Sequence, residues 1–354
     1  MSRTLITAPP DFGRPQLVAR GRRASVRVSR RALVVIVAIA AVTLILALVA
    51  LATGSYSLTL GQVIAALSGR ETGIVSTVVL DWRLPRVLLA ILFGLALGIS
   101  GAIFQSLTRN PLGSPDIIGF DTGAYTGALL VMLVLHLGGT YSITIAAIAG
   151  GLATAAIVYL FAWRRGVQGF RLIIAGIGVT AMLTSFNTWL LLRAQTQQAI
   201  SASFWGAGSL DNAGYPQLVP AVIAFAVLFP AAGLLSRGMH TLELGDDAAR
   251  QLGVNAERTR LLLVITGVAL SATATALAGP IAFISLSAPQ IARRLTRSAG
   301  VGLMSSAVVG AALLLASDWV AQHALPVTIP TGLVTVTLGG GYFIWLLVVE
   351  GRRR

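Results

Sequence analysis

Nine stretches of predominantly apolar residues constrain this chain more than any other feature of its sequence. A helix rises about 1.5 Å per residue, so about 20 apolar residues are enough to span the hydrocarbon core of a bilayer. The stretches cover residues 32–52, 85–107, 115–137, 141–163, 171–192, 216–235, 261–278, 303–322 and 330–349. The sequence therefore predicts an all-α, polytopic membrane protein.

A tenth apolar stretch is shorter and contains two prolines. It runs from Gly279 to Ile291 and is interrupted by Pro280 and Pro289. Proline removes a helical hydrogen bond, and inside a membrane the freed backbone groups must be buried in protein. We expect a broken or re-entrant span here, which gives ten crossings and places both termini on one side.

The composition excludes several kinds of chemistry. The 354 residues are 56% hydrophobic and 11% charged, there is no Cys, and all 26 basic residues are Arg. Without Lys and Cys the chain has no P-loop lysine, Schiff base, thiolate nucleophile or disulfide. Its three histidines, His136, His240 and His323, belong to no paired ligand motif. We therefore expect no metal site, no cofactor and no intramembrane enzyme.

The first 31 residues differ from the rest of the chain. They contain eight Arg, three Pro and one acid, Asp11, without an apolar period. This composition predicts a disordered basic tail at the membrane surface, followed by a transmembrane domain over residues 32–354. A cleaved signal peptide is disfavoured, because the apolar run after Arg31 has the length of a full span and lacks a suitable cleavage site.

The arginines set the orientation. With ten crossings, 22 of the 26 lie on the side of the N-terminus, and Arg70, Arg83, Arg86 and Arg193 lie on the other. The positive-inside rule then places both termini in the cytosol. The net charge of +14 follows mostly from this topology, so it gives no reason to expect a nucleic-acid partner.

Two small-residue helices suggest an internal symmetry. Gly94-Leu-Ala-Leu and Gly267-Val-Ala-Leu each begin a helix that leads to a break containing proline, and the two helices run in opposite directions. We expect inverted four-helix repeats about the span at 216–235.

The segment from Ser236 to Arg260 is the longest polar interruption after the tail. Within it Leu244, Ala248 and Leu252 recur at four-residue spacing, which predicts one short amphipathic helix. Such a helix on the cytosolic face is suited to a groove on a partner, and a solvated connector is the alternative.

Helix-end signals flank this amphipathic pattern. Asp246 and Asp247 lie where a helix N-terminus favours negative charge, and Gly253 stands where a C′ residue would. Asn255 can cap a second helix that continues into the apolar run beginning at Leu261.

Four motifs together resemble a known family. They are Arg83-Leu-Pro-Arg86, SGAIFQSLTRNPLGSPDIIGFDTGA (100–124), LGDDAARQLGV (244–254) and AGPIAFISLSAPQIARRL (278–295). In order and spacing they resemble the permease subunits of ABC importers for ferric siderophores, haem and vitamin B12. The details RLIIAGIG (171–178), FNTWLLL (186–192), AGSL (207–210) and TVTLGG (335–340) look most like permeases for ferric enterobactin.

The resemblance implies a complex of two permeases with an ABC ATPase dimer. In such a complex the ATPases bind ATP and Mg, the permease is not an enzyme, and an extracytoplasmic binding protein delivers the ferric siderophore. The coupling helix that meets the ATPase would comprise Glu243, Leu244, Gly245, Asp246, Asp247, Ala248, Arg250, Leu252, Gly253 and Val254. Arg83 and Arg86 would meet acidic residues of the binding protein, the alternative being interfacial anchoring of their helix.

The resemblance also implies a translocation path and a gate. These would include Asn110, Pro111, Leu112, Pro115, Gly119, Asp121, Gly279, Pro280, Phe283 and Pro289. From the residues alone, Asn110-Pro111-Leu112 predicts a tight turn, and the two breaks at Pro280 and Pro289 are equally consistent with a packing role.

Some residues depart from the family pattern. Gln290 replaces a common His, Gln322 stands where a third outer Arg is usual, and Asp121 replaces a neutral polar residue. The missing arginine leads us to expect a second, non-identical permease rather than a homodimer. Asp318 and Asn187 lie inside predicted spans, where we expect them to hydrogen-bond between helices.

A proton-coupled secondary transporter is the main alternative class. It would use Asp116, Asp121 and Asp318 as a relay and would also contain broken helices. It would not need the helix at 243–254 or a partner ATPase.

Overall fold

The computed structural model describes residues 16–20, 25–137, 139–162, 169–211, 213–324 and 326–351. Two short strands, β1 and β2, precede the helices. The elements in order are β1 Gln16–Arg20, β2 Ser25–Ser29, α1 Arg30–Ala52, α2 Leu60–Leu67, α3 Ile74–Thr108, α4 Pro115–Ile118, α5 Phe120–Val134, α6 Thr140–Ala162, α7 Gly169–Arg193, α8 Thr196–Gly206, α9 Tyr215–Glu243, α10 Asp246–Gln251, α11 Ala256–Ala278, α12 Ile284–Thr296, α13 Leu303–His323 and α14 Thr331–Gly351.

The membrane part is helical, as predicted. Within the residues that the structure describes, seven helices are long and apolar enough to cross a bilayer: α1, α3, α6, α7, α9, α11 and α13. Each of the other two predicted spans also coincides with helix: α5 covers much of residues 115–137, and α14 covers residues 331–349. The number of ten crossings remains a prediction.

The basic tail contains more regular structure than its composition indicates. Strands β1 and β2 pair antiparallel, with Gln16 opposite Ser29 and Arg20 opposite Ser25. Ser29 then caps α1, because its side chain accepts a hydrogen bond from Ala32 N at 3.1 Å. The remainder of the predicted disordered segment, residues 1–15 and 21–24, lies outside the described residues.

Helix α3 is the centre of the packing. It contacts α9, α11, α12 and α13. Gly94 faces the backbone of Gly310 and Ala311 on α13, so closely that a Cβ atom there would lie 2.5 Å from Gly310 O. Gly101 faces the backbone of Ser285 on α12 in the same way. Small residues thus let three backbones approach, as is typical of helix association in membranes.

Polar contacts distinguish the two ends of the bundle. At one end Tyr215 donates to Leu80 O at 3.0 Å, and Arg86 binds Asp318. At the other end, Ser106 of α3 donates to Glu243 of α9 at 2.8 Å. We call these the Arg86 end and the α10 end. Because α9 has 29 residues, it is about 44 Å long and connects the two.

The two helices of the predicted repeat contact each other directly. Ser100 of α3 donates to Gly267 O of α11 at 2.7 Å, and Gly267 faces the ring of Phe104. The inverted repeat itself remains a prediction.

Candidate transport site

The α10 end carries the short helix that the polar segment predicts. Gly245 precedes α10 with φ of 115°, a backbone conformation that favours glycine. Asp246 and Asp247 form its first turn, and Gly253 follows it with φ of 80° as the C′ residue. The predicted positions of Asp246 and Asp247 in the first turn and of Gly253 after the helix are confirmed. The Asn255 cap is confirmed as well, because its side chain accepts from Arg258 N at 3.0 Å.

The predicted extent of this helix was wrong. The apolar spacing indicated one helix through Leu244, Ala248 and Leu252, whereas Leu244 terminates α9 and Leu252 follows the last turn of α10. Ala249 is the fully buried residue of α10. Leu244 and Leu252 are 69% and 65% exposed, so both large apolar side chains project from the surface at this end.

Ion pairs attach α10 to the bundle. Arg260 of α11 donates to both carboxylate oxygens of Asp246, at 2.8 and 2.9 Å. Arg109, at the end of α3, donates to Leu242 O at 2.7 Å and lies 3.5 Å from Asp246. Arg250 and Asp247 form an exposed pair at 3.3 Å, which contributes little. A movement of α10 would therefore displace α3, α9 and α11 as well.

The turn between α3 and α4 is as predicted. The Asn110 side chain accepts from Leu112 N at 2.9 Å, and Gly113 N donates to Asn110 O at 3.0 Å. Pro111 and Leu112 are exposed, and Pro115 is buried at the start of α4.

A cavity of about 220 Å³ connects this turn with α12 and the end of α9. Its lining includes Gln105, Arg109, Asn110, Glu243, Gln290 and Arg293. Gln290 donates to Gln105, which in turn donates to Leu286 O at 2.9 Å. The structure thus brings the predicted turn and the predicted coupling segment to one polar cavity.

The predicted broken span is interrupted between Gly279 and Phe283. Gly279 has φ of 73° and lies against Trp205 O, where a Cβ atom would be only 2.2 Å away. Phe283 has φ of 70°, a conformation that is uncommon for a bulky residue. Helix α12 begins at Ile284 and includes the buried Pro289.

Asp116 of α4 accepts two hydrogen bonds from residues at the start of α12. Its Oδ2 accepts the Phe283 N–H at 2.9 Å, and its Oδ1 accepts the Ser285 hydroxyl at 2.6 Å. Gly119, with φ of 90°, follows α4 and fits against Thr180 of α7. The sequence motifs indicate no role for Asp116 in a permease, although its position directly after Pro115 at a helix N-terminus is an available signal.

Asp121 is buried between α5 and α11. Its Oδ1 accepts the hydroxyls of Ser271 and Thr275, at 2.8 and 2.9 Å. Its Oδ2 has no hydrogen-bond partner among the described residues. Asn187 was expected to bond between helices, but neither of its buried amide atoms has a partner within the part of the chain that the structure describes.

The two arginines at the Arg86 end are both engaged within the chain. Arg83 donates to Leu51 O at 2.7 Å and to Tyr56 O at 2.6 Å. These carbonyl groups fix the guanidinium, and no carboxylate among the described residues pairs with it.

Arg86, in contrast, binds two carboxylates. Its Nε and Nη2 donate to Asp318 at 3.0 and 2.9 Å, and Nη2 also lies 3.0 Å from Asp211. Gln322 donates to the same Asp318 at 2.8 Å. The expected interhelical role of Asp318 is confirmed, and Asp211, which sequence reasoning missed, has no motif that would have indicated it.

The described residues contain no group of three or more His, Asp or Glu side chains that could hold a metal ion. What the geometry provides is a helical bundle with a broken span, an exposed helix at one end and an ion-pair network at the other. This defines the class: a polytopic, all-α membrane protein.

Comparison with known proteins identifies the family. The model of the FecCD transport family matches residues 42–349, and the chain belongs to that family. It is 49% identical over 328 residues to the ferric enterobactin transport system permease protein FepG of Escherichia coli (strain K12), covering 92% of this chain and 99% of FepG. It is 32% identical to the Fe(3+)-citrate import system permease protein YfmE of Bacillus subtilis (strain 168), over 93% of this chain and 98% of YfmE.

A solved structure shares the fold. A metal-chelate type ABC transporter in an inward-facing conformation superposes with a TM-score of 0.76 at 26% identity, over 90% of this chain and 99% of that one.

Proposed function

We propose that this chain is the transmembrane permease subunit of an ATP-driven ABC importer that moves a ferric siderophore of the catecholate, enterobactin-like type across the cytoplasmic membrane. The single observation that carries the mechanism is α10, an exposed helix tied by Asp246 to α11 and α3. The substrate class is supported by the 49% identity to FepG over nearly the whole chain.

In this proposal the α10 end faces the cytosol, together with both termini. The Arg-rich tail leads directly into α1, and Arg31 donates to Leu295 O at 2.8 Å, near the end of α12. Arg109, Arg260, Arg293 and Arg294 lie on segments at the same end, which agrees with the positive-inside rule. The arginines at 164–165 and 352–354 lie outside the described residues.

Residues 243–254 are the coupling segment in this proposal. Leu244 and Leu252 enter a cleft of the partner ATPase, because they are large apolar side chains exposed at the end of the bundle that faces water. The partner dimer binds ATP and Mg and performs the hydrolysis. The displacement passes through Asp246 to Arg260 of α11 and Arg109 of α3.

The gate is assigned to the turn at Asn110–Pro115 and to the break at Gly279–Phe283. Helix α11 leads from the coupling segment to this break, and Asp116 connects the break to α4. Gly119, Asp121 and Pro289 lie on the elements that would move. Substrate therefore passes when a displacement of α11 and α4 shifts α12.

Arg83 and Arg86 are proposed as the docking patch for an extracytoplasmic binding protein. Arg83 has a fixed guanidinium that no carboxylate of the described residues neutralises, which suits it to attract an acidic partner. Arg86 lies one turn further along α3.

We further propose that the functional complex contains a second, non-identical permease. Position 322 is Gln, so this chain supplies no third outer arginine there. The Gln322 side chain instead donates to Asp318. The test is to express this chain with the ATPase and the binding protein but without another permease. Full ferric-siderophore uptake by that minimal set would contradict the heteromer.

A permease for haem or vitamin B12, and a proton-coupled secondary transporter, are the alternatives. Two observations oppose a relay through Asp318: it is paired with Arg86, and it lies at the Arg86 end, away from Asp116. The discriminating experiment measures uptake of iron-55 enterobactin, haem and vitamin B12 by cells in which the partner ATPase is depleted. Loss of enterobactin uptake alone is expected, and uptake that survives depletion would contradict an ABC importer.

A further inference from the structure

The guanidinium of Arg86 is shared by two carboxylates that differ in their environment. Its Nη2 lies 2.9 Å from Asp318 Oδ1 and 3.0 Å from Asp211 Oδ1. The side chain of Asp318 is 3% exposed and that of Asp211 is 45% exposed. The same nitrogen therefore holds one internal partner and one that faces water.

The pair with Asp318 is the more stable of the two, because it is buried and has additional hydrogen bonds. Besides three hydrogen bonds from Arg86, Asp318 accepts the Thr331 hydroxyl at 2.9 Å and the Gln322 amide at 2.8 Å. These donors come from α3, α13 and α14, so the carboxylate ties three helices together. Separating a buried ion pair leaves an uncompensated charge, which is strongly unfavourable.

The pair with Asp211 is replaceable. Asp211 lies on the connection between α8 and α9, and Arg86 Nη2 is its one ion-pair contact among the described residues. The Asp211 carboxylate is half-exposed, so water competes with Arg86 for it and the pair contributes only weakly to stability. Asp211 also lines a cavity of about 490 Å³ with Ser209 and Gln217, so its side chain has space to move away from Arg86.

We propose that Asp211 occupies the position of a partner's carboxylate, and that an Asp or Glu of the extracytoplasmic binding protein displaces it from Arg86 when the two proteins dock. This rests on the proposed function. One arginine with two carboxylates carries a net negative charge, so the undocked cluster repels an acidic partner. Arg83 provides the initial attraction, and Arg86 becomes available when Asp211 leaves.

The exchange predicts that removing the Asp211 charge assists docking. Asp211→Asn should raise the affinity for the binding protein about two- to fivefold at low ionic strength, which corresponds to the worth of one exposed ion pair. High salt should reduce the difference, because it screens exposed charges.

The test uses the whole transporter complex in nanodiscs and the binding protein encoded with this chain, with association and dissociation rates measured by surface plasmon resonance. The variants are Asp211→Asn, Arg86→Gln and the double variant. The matched control is Asp81→Asn, which removes an equal charge from an exposed residue of α3 near the same end.

The expected result is tighter binding by Asp211→Asn than by Asp81→Asn, and no effect of Asp211→Asn in the Arg86→Gln background. Equal effects of the two charge removals, or an Asp211→Asn effect that persists without Arg86, would overturn the exchange while leaving the proposed function intact. Failure of every complex to bind, wild type included, would contradict the docking proposal and this inference together. Melting temperatures of all variants are measured as well, to separate a loss of folding from a loss of docking.

Discussion

The carboxylate of Asp116 accepts the backbone N–H of Phe283 at 2.9 Å, across 167 positions of sequence. Phe283 is where the broken span turns into α12, and it has a left-handed backbone that an unsupported Phe avoids. Asp116, which lies on α4, thus acts as a capping residue for α12. This contact lies directly before the first residue of α12, Ile284.

Removing this cap should destabilise the protein. Asp116→Ala leaves the Phe283 N–H and the Ser285 hydroxyl without their acceptor, so we expect a loss of about 3 kcal/mol. Asp116→Asn keeps one acceptor oxygen and should lose less. Thermal unfolding in detergent measures both, with Asp81→Asn as an exposed control. Equal melting temperatures for wild type and Asp116→Ala would contradict the capping role.

Close backbone packing between α3 and α12 gives a second prediction. A Cβ atom on Gly101 would lie 1.7 Å from Ser285 O, so Gly101→Ala must force the helices apart, at about 1–3 kcal/mol. Gly178 of α7 has nothing within 4 Å of such a Cβ atom, and Gly178→Ala should stabilise by about 0.5–1 kcal/mol. The two variants should shift the unfolding midpoint in opposite directions. A shared direction would show that the backbone approach at Gly101 is unimportant.

The ion-pair network at the Arg86 end predicts a strong asymmetry. Asp318→Ala leaves a largely buried arginine without its main partner and should cost about 3–5 kcal/mol. Asp211→Ala removes a half-exposed partner and should cost less than about 1 kcal/mol. Denaturant unfolding of the two variants compares them directly. Similar losses would mean that burial does not decide the strength of these pairs.

The sequence predicted the helical class, most element positions and the ends of α10, because apolar length, Gly253 and Asn255 act locally. It missed the partners of Arg86, since Asp211 and Asp318 lie more than 100 positions away in sequence and only packing brings them together. The sequence pattern also predicted a helix that includes Leu244 and Leu252, both of which lie outside α10. The four-residue spacing there reflects a shared exposed surface instead of a buried helix face, and spacing alone does not distinguish the two.

A polar substitution in the coupling segment should leave the protein folded but abolish uptake. Leu252 is 65% exposed, so Leu252→Asp should leave the melting temperature unchanged while abolishing uptake by disrupting the contact with the ATPase. Gln251→Asp, an exposed polar neighbour, is the matched control and should retain uptake. Normal uptake by Leu252→Asp would show that this side chain does not enter the partner.

Reconstitution tests the proposed transport activity most directly. The complex of this chain with its second permease and ATPase is placed in liposomes that carry no ion gradient, with binding protein and iron-55 enterobactin on one side. Uptake that requires ATP on the side of α10 and is insensitive to a protonophore is the predicted result. Uptake without ATP, or uptake abolished by the protonophore, would contradict an ATP-driven permease.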